Sequence, residues 1–211
     1  MSGPGRIIRT AADLAEGAEW LAAREPRFAP VLASVGPLPL RLKQPGFAAL
    51  MEIIVSQQVS VASADAIRAR LHAAGLRDAA AIRAVDEAAL CAAGLSRPKA
   101  RYVAALAQAD IDFDALTAMP DAEAEAVLRA QKGIGPWTAQ IYVMFALGRA
   151  DGFAPGDLAQ QEAARALFDL PARPTADALA VLAQDWSPWR SVAARALFAY
   201  YRQLKNREGL G

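Results

Sequence analysis

Two short strings hold the residue types best suited to binding an anion and to placing a carboxylate. The first is Gln131-Lys132-Gly133-Ile134-Gly135-Pro136-Trp137-Thr138-Ala139. Two glycines around one isoleucine permit a tight turn. Pro136 suits the first position of a new helix, where an N–H would have no partner inside the helix. Such a turn presents backbone N–H groups, and the helix start behind it adds partial positive charge. The string therefore predicts a phosphate cradle that needs no charged side chain. Ile134 is expected to plug the turn into the core. The ordinary alternative is a helix–turn–helix connection that binds nothing.

The second string is Phe153-Ala154-Pro155-Gly156-Asp157-Leu158. It places Asp157 at a helix start after a loop. Aspartate is a preferred N-cap, so a capping role is sufficient to explain the residue. Capping and a chemical role can coincide in one carboxylate at the mouth of a cleft.

Composition narrows what these strings can belong to. The chain has 211 residues and is 55% hydrophobic and 21% charged, which favours a compact folded protein over a disordered one. The net charge of +1 gives no broad basic field. The charges are unevenly placed, however. Arg190, Arg195, Arg202, Lys205 and Arg207 follow Trp186 against only Glu208, which predicts a basic face on the last helix. There is one cysteine, Cys91, and one histidine, His72. An intrachain disulfide, a four-cysteine iron–sulfur cluster and a Cys/His zinc site are thereby excluded. No apolar run is long enough to span a bilayer, and residues 1–10 lack an apolar signal region. A soluble, cytoplasmic protein is expected.

The elements that must position the two strings read as helices. Residues 11–24 form the first. Phe47, Leu50, Met51, Ile54 and Val55 share one helical face. Asp86 starts a short helix that ends at Gly94, and Ser96 precedes another carrying Lys99, Tyr102, Val103 and Leu106. Ala139, Tyr142, Val143, Ala146 and Leu147 continue the hairpin's second helix as far as Gly148. Ser187-Pro188 is read as the start of a last helix whose stripe is Trp189, Val192, Ala193, Ala196, Leu197, Tyr200 and Leu204. No stretch alternates with the strand period. The expectation is an all-α protein of about ten short helices. Residues 1–40 would be an N-terminal helix and connection joining a second lobe, and residues 41–211 a single compact unit.

The hairpin string resembles that of the helix-hairpin-helix DNA glycosylase superfamily. The Pro-Gly-Asp string falls where that family carries a fixed aspartate. Ile54-Val55-Ser56-Gln57-Gln58-Val59-Ser60-Val61-Ala62 and Trp186-Ser187-Pro188-Trp189-Arg190-Ser191 are similar to the DNA-3-methyladenine glycosylase II branch. The resemblance covers about residues 40–204 in four ordered motifs. It implies an all-α fold of two helical lobes with a cleft between them. It also implies a base excision repair enzyme that flips an alkylated purine out of DNA and hydrolyses its N-glycosidic bond.

By the same resemblance Asp157 is the catalytic residue. Its carboxylate would stabilise positive charge on the deoxyribose as the base leaves, and orient or deprotonate water. Strand-nicking members carry a lysine where Trp137 stands, so the resemblance implies a monofunctional enzyme. Trp137, Trp189, Phe47 and Tyr142 are candidates for a base pocket, since electron-rich rings attract a cationic alkylpurine. Core packing is the alternative for each, and Trp137, offset from its helix's main stripe, is the best placed for a pocket. Trp186 is a candidate for the same role. Lys132, Gly133, Ile134, Gly135 and Thr138 are expected at the DNA. Gln58 is expected as the wedge that fills the emptied stack, a polar departure from the apolar residue usual there. Lys99, with Arg97 and Arg101, is expected near a second phosphate region. No metal or cofactor is implied, although backbone carbonyls of the hairpin would suffice for a monovalent cation. The partner is double-stranded DNA with alkylated bases, and a monomer is expected, nucleoid-associated if bacterial. The competing readings are a glycosylase for other damaged or mismatched bases and a non-catalytic damage-binding module.

Overall fold

The computed structural model describes residues 3–207. Among them are thirteen α-helices. In chain order they are α1 (Ala11–Arg24), α2 (Phe28–Val35), α3 (Phe47–Ser56), α4 (Val61–Ala73), α5 (Ala79–Arg83), α6 (Glu87–Ala92) and α7 (Arg97–Gln108). Then come α8 (Phe113–Ala118), α9 (Asp121–Arg129), α10 (Pro136–Phe145), α11 (Leu158–Leu167), α12 (Ala176–Leu182) and α13 (Arg190–Arg207). A 3-10 turn, Ala183–Trp186, links the last two. The described residues contain no strand, only an isolated bridge between Ile7 and Arg149. The all-α expectation holds, with shorter and more numerous helices.

Helices this short are marginal alone, and the sequence supplies a stop and start for most of them. Thr10, Ser60, Asp78, Asp86, Asp112, Asp157 and Thr175 each accept a backbone N–H from the first turn of the helix that follows. Each such cap contributes about 1 kcal/mol. At α1 the cap is reciprocal, because Asp13 also accepts from the Thr10 N–H.

The chain divides into two compact units. One comprises Lys43–Tyr142 together with Gly3, and the other joins Pro4–Leu42 to the residues from Val143 onward. The boundary falls within α10. In the first unit, Leu50, Met51, Ile54 and Val55 of α3 are buried, as are Ala100, Val103 and Leu106 of α7, and the two helices pack together. In the second, α13 is central and packs on α1, α2 and α11. Its stripe of Trp189, Val192, Ala193, Ala196 and Leu197 is buried. Gly17 of α1 allows the close approach, since a Cβ there would stand 2.6 Å from the Trp189 ring. Trp186 is enclosed by Phe28, Phe153 and Phe168, with ring centroids 5.2 to 5.7 Å away.

Three expectations from the sequence are corrected. Ser187-Pro188 does not begin the last helix. The peptide is cis, Trp189 N donates to Trp186 O at 2.8 Å to close a turn around the proline, and α13 starts only at Arg190. The hairpin's second helix stops at Phe145, because Arg149 N reaches back to Val143 O and Gly148 adopts a left-handed φ of 67°. The predicted basic face of α13 is also reduced. Arg190 binds Asp151 through Nε and Nη2, both at 2.7 Å. Arg195 is buried, donating to the Ser191 and Leu40 carbonyls, with its guanidinium 4.5 Å from the Phe145 ring centroid. Burial pulls Arg195 down to about 10, so it is still charged at neutral pH. Glu208 lies outside the described residues.

Candidate nucleic-acid interface and carboxylate site

The hairpin is built as its residue types require. After α9, Gln131 N donates to Leu128 O, and Ile134 N donates to Gln131 O at 3.1 Å, which closes the turn. Gly133 has φ +84°, a conformation glycine enters freely and an L side chain does not. Ile134 is buried and anchors the turn. Gly135 is exposed, and a Cβ on it would have no atom within 4 Å. The Pro136 ring occupies a position that needs no N–H, and the first helical bond behind it runs from Ala139 N to Gly135 O. The open side of Gly135 thus leaves its backbone accessible in front of the positive end of α10. Lys132 is exposed beside the turn.

Of the side chains expected here, Thr138 is turned inward. It is 2% exposed, and its hydroxyl accepts from Gln57 Nε2 at 2.8 Å. Trp137 is half-buried, as is Ile141 one turn on, while their neighbours Ala139, Tyr142 and Val143 are fully buried. The offset of Trp137 from the apolar stripe therefore keeps its indole at the edge of the core. Tyr142 is fully buried. Its hydroxyl accepts from Gly46 N at 2.8 Å, and burial pushes the phenol up to about 12. Phe47, at the start of α3, is half-buried. Trp189 lies in the second unit and is 3% exposed, with the Arg6 guanidinium 4.4 Å from its ring centroid.

Gln58 follows the end of α3. It is exposed, has φ +54° and sits beside exposed Val59, ahead of Ser60, the cap of α4. Lys99 is half-buried in the first turn of α7. Its ammonium donates to the Val55 carbonyl at 2.7 Å, and burial lowers its pKa. Arg101 pairs with Glu87, whereas Arg97 is exposed.

In the second unit Asp157 caps α11. Its Oδ1 accepts from Ala159 N at 2.9 Å and Gln160 N at 3.1 Å. These bonds fix the carboxylate's orientation at the helix start. The group is half-buried, with Gly156 and Leu158 exposed on either side. Among the described residues there is no group of three or more His, Cys, Asp or Glu side chains able to hold a metal ion. No described helix is long and apolar enough to cross a membrane.

The family model of the HhH-GPD superfamily of base excision DNA repair proteins matches residues 51–188, well over half of the chain and inclusive of the hairpin and Asp157. The chain belongs to this superfamily. Among HhH-GPD structures it is similar to a DNA-3-methyladenine glycosidase of Bacillus halodurans, with 27% identity and a TM-score of 0.76 over 90% of this chain and 91% of the other. It is also similar to the 3-methyladenine DNA glycosylase Mag1 of Schizosaccharomyces pombe in complex with abasic DNA, with 26% identity and a TM-score of 0.80 over 87% and 95% of the two chains. By sequence it is 28% identical to the YfjP protein of Bacillus subtilis over 173 residues, which is 76% of this chain and 60% of that protein. This HhH-GPD chain therefore spans less than two thirds of the length of that curated relative.

Two residues that shape the HhH-GPD hairpin read in the sequence only as members of a helix stripe and of a motif, with no sign of that role. Tyr102 of α7 covers Gly133, and Gln57 binds the hairpin from the end of α3. Both act across long sequence separations, and periodicity reports only which face of a helix is buried.

Proposed function

We propose that this protein is a monofunctional DNA glycosylase that hydrolyses the N-glycosidic bond of alkylated purines, of the 3-methyladenine and 7-methylguanine type. The observation that carries the reading is Asp157, a half-buried carboxylate whose Oδ1 is held by two backbone N–H groups. Such a group is oriented before substrate arrives and needs no reorganisation as charge develops. The 3-methyladenine activity named for the similar glycosylases supports the choice of an alkylated purine, and 7-methylguanine is added on the chemistry of its cationic ring.

In this reading the backbone N–H groups at Gly133, Gly135 and the start of α10 receive a DNA phosphate, assisted by Lys132. The target nucleotide is extruded from the stack, and Gln58 fills the space it leaves. The Trp137 indole faces the base, and a cationic methylpurine is drawn to its π-face. As the C1′–N bond lengthens, the electron pair leaves with the base, and its ring charge is neutralised. The sugar becomes oxocarbenium-like, and the Asp157 carboxylate stabilises it. Water, oriented by the same carboxylate, adds at C1′ and gives up its proton to that carboxylate, which leaves an abasic site. Trp137 offers no amine, so no Schiff base forms and the strand is not nicked. The reaction calls on no cofactor. A monovalent cation on hairpin carbonyls belongs to the same proposal, as does a monomer acting on duplex DNA in the cytoplasm.

Base release from methylated duplex DNA, compared between the wild type and Asp157→Asn, tests the proposal. Methylpurine release by the wild type and its loss in the variant, with DNA binding retained, is the expected result. Absence of release by folded wild-type protein would overturn the alkylpurine assignment and favour other damaged bases, or a damage-binding module.

A further inference from the structure

Three elements of the first unit are joined pairwise in a closed triangle. Gln57, which follows the last residue of α3, donates from Nε2 to the Gly133 carbonyl at 3.2 Å and to the Thr138 hydroxyl at 2.8 Å. That side ties α3 to the hairpin. Lys99 donates to the Val55 carbonyl at 2.7 Å, which ties α7 to the same end of α3. Tyr102, one turn along α7 from Lys99, covers Gly133 so closely that a Cβ there would stand 2.2 Å from Cγ of the ring. That contact ties α7 to the hairpin. An ammonium against the last carbonyls of a helix also opposes the negative end of its dipole.

The consequence falls on the short tip between α3 and α4. Gln57 has an extended ψ of 129°, and Gln58 then turns left-handed at φ +54°. This reversal sends the two adjacent glutamines apart, Gln57 half-buried against the hairpin and Gln58 into solvent. Ser60 fixes the far side of the tip by capping α4. The direct link from the hairpin to the residue before Gln58 is therefore a single carboxamide.

We propose that Gln57 is a positioning residue that couples the phosphate-binding turn to the tip, so that seating the hairpin on a phosphate carries Gln58 to a fixed depth against the duplex. This rests on the hairpin and tip having the roles given under Proposed function. A carboxamide nitrogen has two hydrogens and serves both acceptors at once. A glutamate at the position has no hydrogen to give the Gly133 carbonyl, and a methionine of similar shape has none for either acceptor. Without the amide, Tyr102 and Ile134 still hold the turn and Lys99 still holds the end of α3. What is lost is the direct link between them, and only the longer route through α7 remains.

The test compares the wild type with Gln57→Met and Thr138→Val, the second removing one acceptor from the hairpin side. Hydrogen exchange of the DNA-free protein is read at residues 56–61 and 131–138. Exchange at 56–61 is expected to quicken in Gln57→Met while the rest of the first unit keeps wild-type protection. Thr138→Val should fall between the two. With undamaged duplex carrying 2-aminopurine, Gln57→Met should keep the affinity and salt dependence of the wild type, because the hairpin is intact. The fluorescence rise from base unstacking should fall about ten-fold, the equivalent of one hydrogen bond to a buried acceptor. Unchanged exchange at 56–61 together with wild-type unstacking would overturn the coupling. So would a parallel loss of affinity, unstacking and protection throughout the unit, which marks a merely structural role. A wild type that releases no methylpurine removes the substrate assignment alone, since exchange and unstacking still decide whether Gln57 couples the two segments.

Discussion

Tyr102 closes over Gly133 so tightly that the glycine has no room for a β-carbon, and the backbone there is left-handed as well. Gly133→Ala therefore meets two penalties, a ring that must move and a disfavoured φ. A loss of about 1–3 kcal/mol in unfolding free energy is expected. Gly135→Ala supplies the control two residues away. Its added methyl meets nothing and its φ is ordinary, so stability should change by less than about 0.5 kcal/mol. Its methyl does stand where a phosphate would approach, so duplex affinity should fall while the melting temperature does not. Denaturant unfolding and titration with a labelled duplex separate the two effects.

Asp157 combines a cap with a charge, and two substitutions part them. Asparagine caps a helix about as well as aspartate. Asp157→Asn should hold stability within about 0.5 kcal/mol and reduce methylpurine release by about 100-fold or more. Asp157→Ala should in addition lose about 1 kcal/mol through the Ala159 and Gln160 N–H groups it abandons. Equal release by wild type and Asp157→Asn would return the residue to a purely structural role.

The tryptophans predict opposite outcomes. Trp186 is fully buried among three phenylalanines, and Trp186→Ala should cost about 3–5 kcal/mol, enough to unfold a marginal protein. Trp137 is half-buried, and Trp137→Ala should leave a folded protein. Its kcat/KM for a cationic methylpurine should fall about ten-fold through the lost cation–π contact. The same variant should be less impaired on a neutral damaged base, which a comparison of the two substrates would reveal.

Tyr142 gives a pH dependence with a definite sign. Burial raises the phenol from 10.0 to about 12. The folded state thus holds a proton that the unfolded chain releases, so stability is retained below pH 10 and falls as pH rises from 10 towards 12. The loss is on the order of 2–3 kcal/mol. Absorbance titration near 295 nm should show one of the four tyrosines ionising late. Tyr142→Phe should remove that late step. It should also cost about 1 kcal/mol at neutral pH, because the Gly46 N–H loses its acceptor.

Much of this was legible in the sequence because the signals are local. Helical periodicity marks buried faces, and it found those of α3, α7, α10 and α13. Asp86 and Asp157 were readable as caps, because a cap depends on only three residues of chain. The hairpin was readable because glycine and proline restrict φ directly. The rest depends on contacts far apart in sequence. Nothing in Gln57-Gln58 says which glutamine turns inward, since the choice is made by hairpin acceptors that lie beyond residue 130. Lys99 reads as a surface cation until the Val55 carbonyl beneath it is seen. Arg190 and Arg195 read as a basic stripe, yet Asp151 engages one and backbone carbonyls engage the other.

In the proposed function, a cradle of amide dipoles on a chain of net charge +1 also bears on how DNA is searched. Each phosphate neutralised by a lysine or arginine releases condensed counterions, and that release is what holds basic proteins on ordinary DNA. Amide N–H groups neutralise nothing and release little, so the dwell on any undamaged site should be brief and depend weakly on ionic strength. Time on DNA then goes to sampling new sites, and a long stay must be won at the lesion by a base that has left the stack.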